Sequence, residues 1–155
     1  MGKLADLEFQ IQRLGKNDTV IAEQLAQLFK EVFRVEKAGA PNDGYIKALL
    51  AKPNFICFAA FYKNEIAGGL TAYELPIFNQ GVSELLIYDV AVKPACQRMG
   101  LGKKLIEAIK EYADENEIKT IFVDANEEDQ GALDFYRAMD MKEEKVVQFT
   151  FDCTG

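Results

Sequence analysis

The chain has 155 residues, 49% of them hydrophobic and 28% charged, the composition of a folded, soluble chain with core enough for one domain. Its 18 basic and 25 acidic residues leave a net charge of -7; this argues against nucleic acid, whose phosphates are neutralised by Lys and Arg, and suits cationic partners. The absence of histidine excludes Ser-His-Asp and Cys-His triads and most first-row metal sites, and Cys57, Cys96 and Cys153 form no CxxC pair, so no metal and no disulfide is expected.

No apolar run approaches the ~20 residues that cross a bilayer, and Asp6 and Glu8 interrupt the stretch where a signal peptide would be apolar. The expectation is a cytoplasmic protein without membrane contact, residues 1–155 forming one domain with a short N-terminal tail that is free to be flexible.

In chain order, residues 9–14 alternate apolar and polar and predict a first strand. Asn17, Asp18 and Thr19 offer helix caps. Ile21, Leu25, Leu28, Phe29, Val32 and Phe33 then recur at helical spacing, to about Arg34. Gly39, Pro41 and Asn42 mark a loop over residues 35–43, and a short helix over 44–51 stops before Pro53. Residues 55–62 and 66–75 are strand-like runs around the turn-tolerant Asn64 and should pair antiparallel.

Residues 83–92 form an apolar strand that Tyr88 and Asp89 break near its end. Leu101, Leu105, Ala108, Ile109 and Tyr112 mark a helix, 120–125 a buried strand, 130–139 another helix and 146–151 a last strand. Strands alternating with helices after an antiparallel hairpin predict an α/β (α+β) fold, a mixed sheet with helices on its faces. Its ligands should gather beyond the carboxyl ends of the parallel strands, after Val92 and after Ala125.

The segment Gln97-Arg98-Met99-Gly100-Leu101-Gly102 joins that apolar strand to a helix. Its glycines let backbone approach an anion, and the helix that follows supplies unpaired N–H groups and a positive dipole end. Arg98, Lys103 and Lys104 stand ready to pair with phosphate oxygens. The order of strand ending in Val90-Ala91-Val92, short connection and Gln-Arg-x-Gly-x-Gly resembles the acetyl-CoA-binding motif of the GNAT N-acetyltransferase superfamily.

The resemblance implies a mostly antiparallel GNAT sheet of six or seven strands with a parallel central pair and about four helices. It also implies acetyl-CoA as cosubstrate, its pyrophosphate on residues 97–103 and its pantetheine arm paired with the backbone of Val90, Ala91 and Val92. The segment Ala132-Leu133-Asp134-Phe135-Tyr136 resembles the superfamily's Ala-x-x-x-Tyr helix. That makes Tyr136 the expected proton donor to the departing thiolate. Asp129 stands where many members have Asn, and Met139-Asp140-Met141 replaces the usual Leu-Gly-Phe. Asp can still cap the helix and adopt the left-handed conformation.

An attacking amine must lose a proton, and Asp89, acidic at the end of an apolar strand, is the first candidate base. Glu74, Glu84 and Asp124 are competing carboxylates, and with Tyr88 they are expected to line the acceptor site. The runs 71–80 and 83–92, with TAYELPIFNQ and SELLIYDVAV, resemble segments of the type I aminoglycoside 3-N-acetyltransferases. This implies an aminoglycoside 3-amino group or a polyamine as acceptor. The alternatives are a protein or peptide N-acetyltransferase and a non-catalytic coenzyme A-binding module. A homodimer in which residues 146–151 pair across a two-fold axis is a further expectation.

Overall fold

The computed structural model describes residues 8–34 and 42–154, so the expected N-terminal tail and most of the loop at 35–43 lie outside the described residues. The chain forms two compact units, Met1–Asp124 and Ala125–Gly155.

The first unit is built on five strands, β1 (Phe9–Arg13), β2 (Phe55–Tyr62), β3 (Glu65–Ile77), β4 (Val82–Val92) and β5 (Ile121–Val123), in that spatial order. The first four pair antiparallel and β4 pairs parallel with β5. The mixed, mostly antiparallel sheet is the expected one, with two corrections. Five strands are present among the described residues rather than six or seven, and the parallel pair lies at one edge rather than in the centre. Both corrections go with residues 146–151, expected to be a strand, which form none.

Lys63 and Asn64, with φ of 51° and 67°, make the two-residue turn between β2 and β3. Both central residues in the left-handed region give a turn whose twist matches the strands it joins. Helix α1 (Thr19–Val32) buries Ala22, Leu25 and Leu28 at helical spacing. Asp18 occupies its N-cap position, but its carboxylate accepts from Gly15 N at 2.7 Å instead of capping the helix. Helix α2 (Asp43–Leu50) is capped by Asn42, whose side chain accepts from Tyr45 N at 2.8 Å.

These two helices cover one face of the sheet, where Leu25, Ile46 and Leu50 join Leu14, Phe55, Cys57 and Ala59 in a core cluster. Helix α3 (Leu101–Glu115) covers the other, and there the Arg13 guanidinium of β1 lies 4.9 Å above the Tyr112 ring. Leu101, Leu105 and Ile109 of α3 and Leu70, Leu85 and Ile87 of the sheet are at most 1% exposed. Each such side chain stabilises the fold by about 1.5–3 kcal/mol.

In the second unit, α4 (Gln130–Ala138) is capped as expected, Asp129 Oδ1 accepting from Ala132 N at 3.1 Å. Asp140 takes φ of 58°, the left-handed conformation in which Gly is more usual. Arg137 and Glu143 form an exposed ion pair. Residues 141–154 contain no helix or strand, and Val146, Val147, Phe149 and Phe151 are 73–94% exposed. The pattern at 146–151 has the residues of a strand, but no strand forms there. No helix among the described residues is long and apolar enough to cross a membrane.

Candidate active site

The site is built around an irregularity in β4. Thr71 of β3 pairs with Asp89, yet the next residue, Ala72, pairs with Ile87, so Tyr88 is an extra residue in the ladder. Such a bulge re-aims the side chains beyond it. In an uninterrupted strand Asp89 would share a face with Leu85 and Ile87, both fully buried; the bulge turns it to the opposite face. There it meets Thr71 and, one strand further, Cys57, the partner of Thr71 in β2.

Thr71 Oγ1 donates to Asp89 Oδ2 at 2.5 Å. Burial pushes the Asp89 carboxyl above its ordinary range, and the Thr71 hydrogen bond, by favouring the charged form, opposes that rise. The neighbouring Cys57 thiol is pushed up to about 12, by burial first and by the Asp89 charge second, and so keeps its proton at neutral pH.

Aromatic rings continue the same face. The Tyr73 ring lies 5.8 Å from the exposed Tyr88 ring, nearly perpendicular at 80°, and 5.2 Å from Phe55. Burial raises the Tyr73 phenol, followed by Tyr45 of α2, Asp89, Tyr88 and Cys57. Glu84 pairs with Leu75, two residues from Tyr73, and shares this face. Glu74 pairs with the buried Leu85 on the other face, so the structure separates it from Asp89. Asp124 is exposed just after Val123, the last residue paired with β4.

The bulge also sets the backbone at the end of β4. Lys93 N donates to Ala67 O at 2.7 Å, so in the alternating ladder the odd residues, Asp89 and Ala91, turn their polar groups to β3. Val90 and Val92 turn theirs away, to the side where β5 has ended at the level of Ile87. That leaves an open strand edge, the arrangement an extended amide-bearing arm requires. The Gln97 side chain closes part of it by donating to Val92 O at 3.1 Å.

Beyond the edge, Ala95 and Cys96 complete a 3-10 turn (Pro94–Cys96), and Arg98 and Gly100 adopt φ of 67° and 85°. Gly100 is the left-handed N-cap of α3 and contributes no side chain. The first helical bond runs from Lys104 N to Gly100 O at 3.1 Å, which leaves the N–H groups of Leu101, Gly102 and Lys103 as outward donors. Met99, Arg98 and Lys103 have exposed side chains beside them. A loop of this shape fits a pyrophosphate.

In the second unit Tyr136 is partly buried, its ring 5.1 Å from Phe135. Burial raises its phenol above the ordinary value and the Asp129 charge adds to the rise, so the group holds its proton throughout the neutral range.

Sequence reasoning had not selected Thr71, Tyr73 or Cys57. Thr71 carried a signal: it is the polar residue in a run, 67–72, that is otherwise glycine and apolar, and it stays buried.

Residues 22–141 match the family model described as the acetyltransferase (GNAT) family, a span that runs through both units. An aminoglycoside acetyltransferase, meta-AAC0020, from an uncultured soil metagenomic sample superposes with a TM-score of 0.92 at 38% identity in its complex with trehalose, the match covering 96% of this chain and 99% of that one. Its complex with sisomicin gives 37% identity over the same shares. A second aminoglycoside acetyltransferase from such a sample, HMB0005, gives a TM-score of 0.89 at 34% identity, over 94% and 99%. AAC(6')-Iy in complex with a bisubstrate analogue of coenzyme A shares the fold, with a TM-score of 0.76 at 18% identity over 94% of this chain and 99% of that one. No curated protein matches the sequence.

Proposed function

Since the chain belongs to the acetyltransferase (GNAT) family, we propose that it transfers the acetyl group of acetyl-CoA to a primary amine of a small cationic acceptor, an aminoglycoside at its 3-amino group or a polyamine. The observation that carries the acceptor side is Asp89, turned by the bulge onto a face it shares with Tyr73 and Tyr88. A carboxylate beside aromatic rings suits an amino sugar or polyamine, whose cations and apolar faces both find partners. The likeness to meta-AAC0020, solved with sisomicin, supports the same class.

Bound acetyl-CoA supplies the thioester carbon that the amine attacks. Val90 and Val92 align the pantetheine arm, while the N–H groups of Leu101, Gly102 and Lys103, with Arg98, hold the pyrophosphate. Asp89 takes a proton from the acceptor ammonium, so that nitrogen carries a free electron pair. As the carbon–nitrogen bond forms and the carbon–sulfur bond breaks, the Tyr136 phenol gives its proton to the departing sulfur. No covalent enzyme intermediate is needed. Placing both reactants on one strand supplies much of the acceleration.

Thiol release from acetyl-CoA with sisomicin, other aminoglycosides and spermine tests this reading. Coenzyme binding without turnover of any amine overturns it. Tyr136→Phe is expected to lower kcat by ~10²-fold or more while leaving the acetyl-CoA Kd nearly unchanged, as measured by initial rates and calorimetry. Unchanged kcat removes Tyr136 as the acid.

The protein is further proposed to be a homodimer. Four apolar side chains at 146–151 are exposed on a segment with no strand partner, and a two-fold copy of the chain buries such a segment reciprocally. Sedimentation equilibrium should give twice the mass of 17.4 kDa, and truncation after Lys145 should give the monomer mass.

A further inference from the structure

Thr71 is a buried polar residue, 8% exposed, in a part of β3 otherwise lined by Ala67, Leu70 and Ala72. A hydroxyl there must find a partner, and its partner is the Asp89 carboxylate. The two residues are 18 apart in sequence and are brought opposite each other only by the register that the Tyr88 bulge creates.

The bond divides the two carboxylate oxygens. Oδ2 accepts the Thr71 hydrogen bond, and among the described residues Oδ1 has no hydrogen-bond partner. Among the described residues no buried side-chain oxygen or nitrogen lacks a partner, so Oδ1 reaches solvent. One oxygen is held against β3 and the other is offered outward. The holding group is itself rigid: Thr71 pairs with Cys57 on one side and Asp89 on the other, and a β-branched side chain has few rotamers to choose from.

We propose that Thr71 is a positioning residue for proton removal, its hydroxyl pinning Asp89 Oδ2 so that Oδ1 alone faces the acceptor ammonium. The proposal rests on the reading of Asp89 as the base. An unpinned carboxylate rotates about χ2 and offers either oxygen, and a rotating base is in line with the reacting nitrogen for a smaller fraction of time. Among the described residues, the titratable groups on the face of Asp89 are Cys57 from β2, Tyr73 from β3 and Tyr88 from β4, with Tyr45 of α2 beside Tyr73 and Glu84 further along β4. None is a cation, so no ion pair duplicates what the Thr71 hydroxyl does.

The test compares Thr71→Val and Thr71→Ala, which remove the donor, with Thr71→Ser, which keeps it. Sisomicin and spermine serve as amine probes. The donor-less variants are expected to lose roughly 10- to 100-fold in kcat with little change in the KM for acetyl-CoA. Loss of a donor that favours the carboxylate must also move the acidic limb of the kcat/KM profile to higher pH. Thr71→Ser should restore both. The ¹³C titration of the Asp89 carboxyl carbon, followed by NMR in the free protein, should move upward in the donor-less variants and stay in place in Thr71→Ser.

Two donor-less variants keep the comparison open if one fails to fold, and the NMR titration of the folded variants needs no substrate. Wild-type kcat and an unmoved titration in Thr71→Val or Thr71→Ala overturn the proposal, as does a Thr71→Ser variant as impaired as they are. Asp89→Asn separates the two ideas. Retained turnover in that variant overturns the base assignment. Lost turnover there, with an intact Thr71→Val, overturns only the role of Thr71.

Discussion

Asp89→Asn is expected to lower kcat by ~10²- to 10⁴-fold, the span of general-base assistance, without lowering the melting temperature at neutral pH. The two halves of this result come from one cause. Burial raises the Asp89 carboxyl, which makes it a stronger base than an exposed aspartate and also makes its charge a cost to the folded state. A folded-state value above the unfolded one means that the native protein binds this proton more readily. The stability cost is therefore present above the folded value and disappears as the pH falls below the unfolded one. Asparagine removes the charge, keeps the shape and still accepts from Thr71. Thermal melts at neutral pH and at pH 3 check the sign: the variant should match or exceed the wild type at the first and lose any advantage at the second. The same titration sets the acidic limb of the activity profile, where rate falls as Asp89 takes up its proton.

Gly68→Ala should cost about 1–3 kcal/mol, a fall of roughly 2 to 12 °C in melting temperature. A Cβ at this position would lie 2.5 Å from Ala91 O and 3.2 Å from Val92 Cα. Both are backbone atoms, so no side-chain rotation relieves the contact. What must move is the end of β4, the strand edge that carries the outward groups of Val90 and Val92. The KM for acetyl-CoA is therefore expected to rise together with the loss of stability, whereas the KM for the amine changes less. A variant that melts early yet keeps its coenzyme KM would show that this edge does not hold the coenzyme.

Much of the coenzyme half was legible from local sequence. A strand, a glycine-bearing loop and a helix in succession leave a pattern within a few dozen residues, and Gly100 and the free N–H groups after it follow from that pattern. The cap at Asp129 was legible for the same reason, since a cap reaches only three residues. Asp89 was visible as an acid in an apolar strand, but its face was not. Side chains alternate with period two, so one inserted residue reverses the assignment, and the insertion at Tyr88 is defined by pairing with β3 rather than by β4 itself. Thr71 stayed hidden because its partner is far along the chain. The terminal strand failed for a related reason: residues 146–151 have strand-forming side chains, but a strand exists only where a second one completes its hydrogen bonds.

The bulge at Tyr88 bears on how such a chain can vary over generations. In-frame loss of that single codon would restore plain alternation along β4 and still leave Asp89 opposite Thr71 and Val90 opposite Leu70, because the residue removed is the unpaired one. What would disappear is the Tyr88 ring and its edge-on contact with Tyr73. Exchanging the side chains of Tyr88 or Glu84 likewise leaves the phase of the strand intact. The length of β4 is therefore open to change at the bulge alone, since loss of a paired residue such as Val90 would turn every side chain beyond it to the other face.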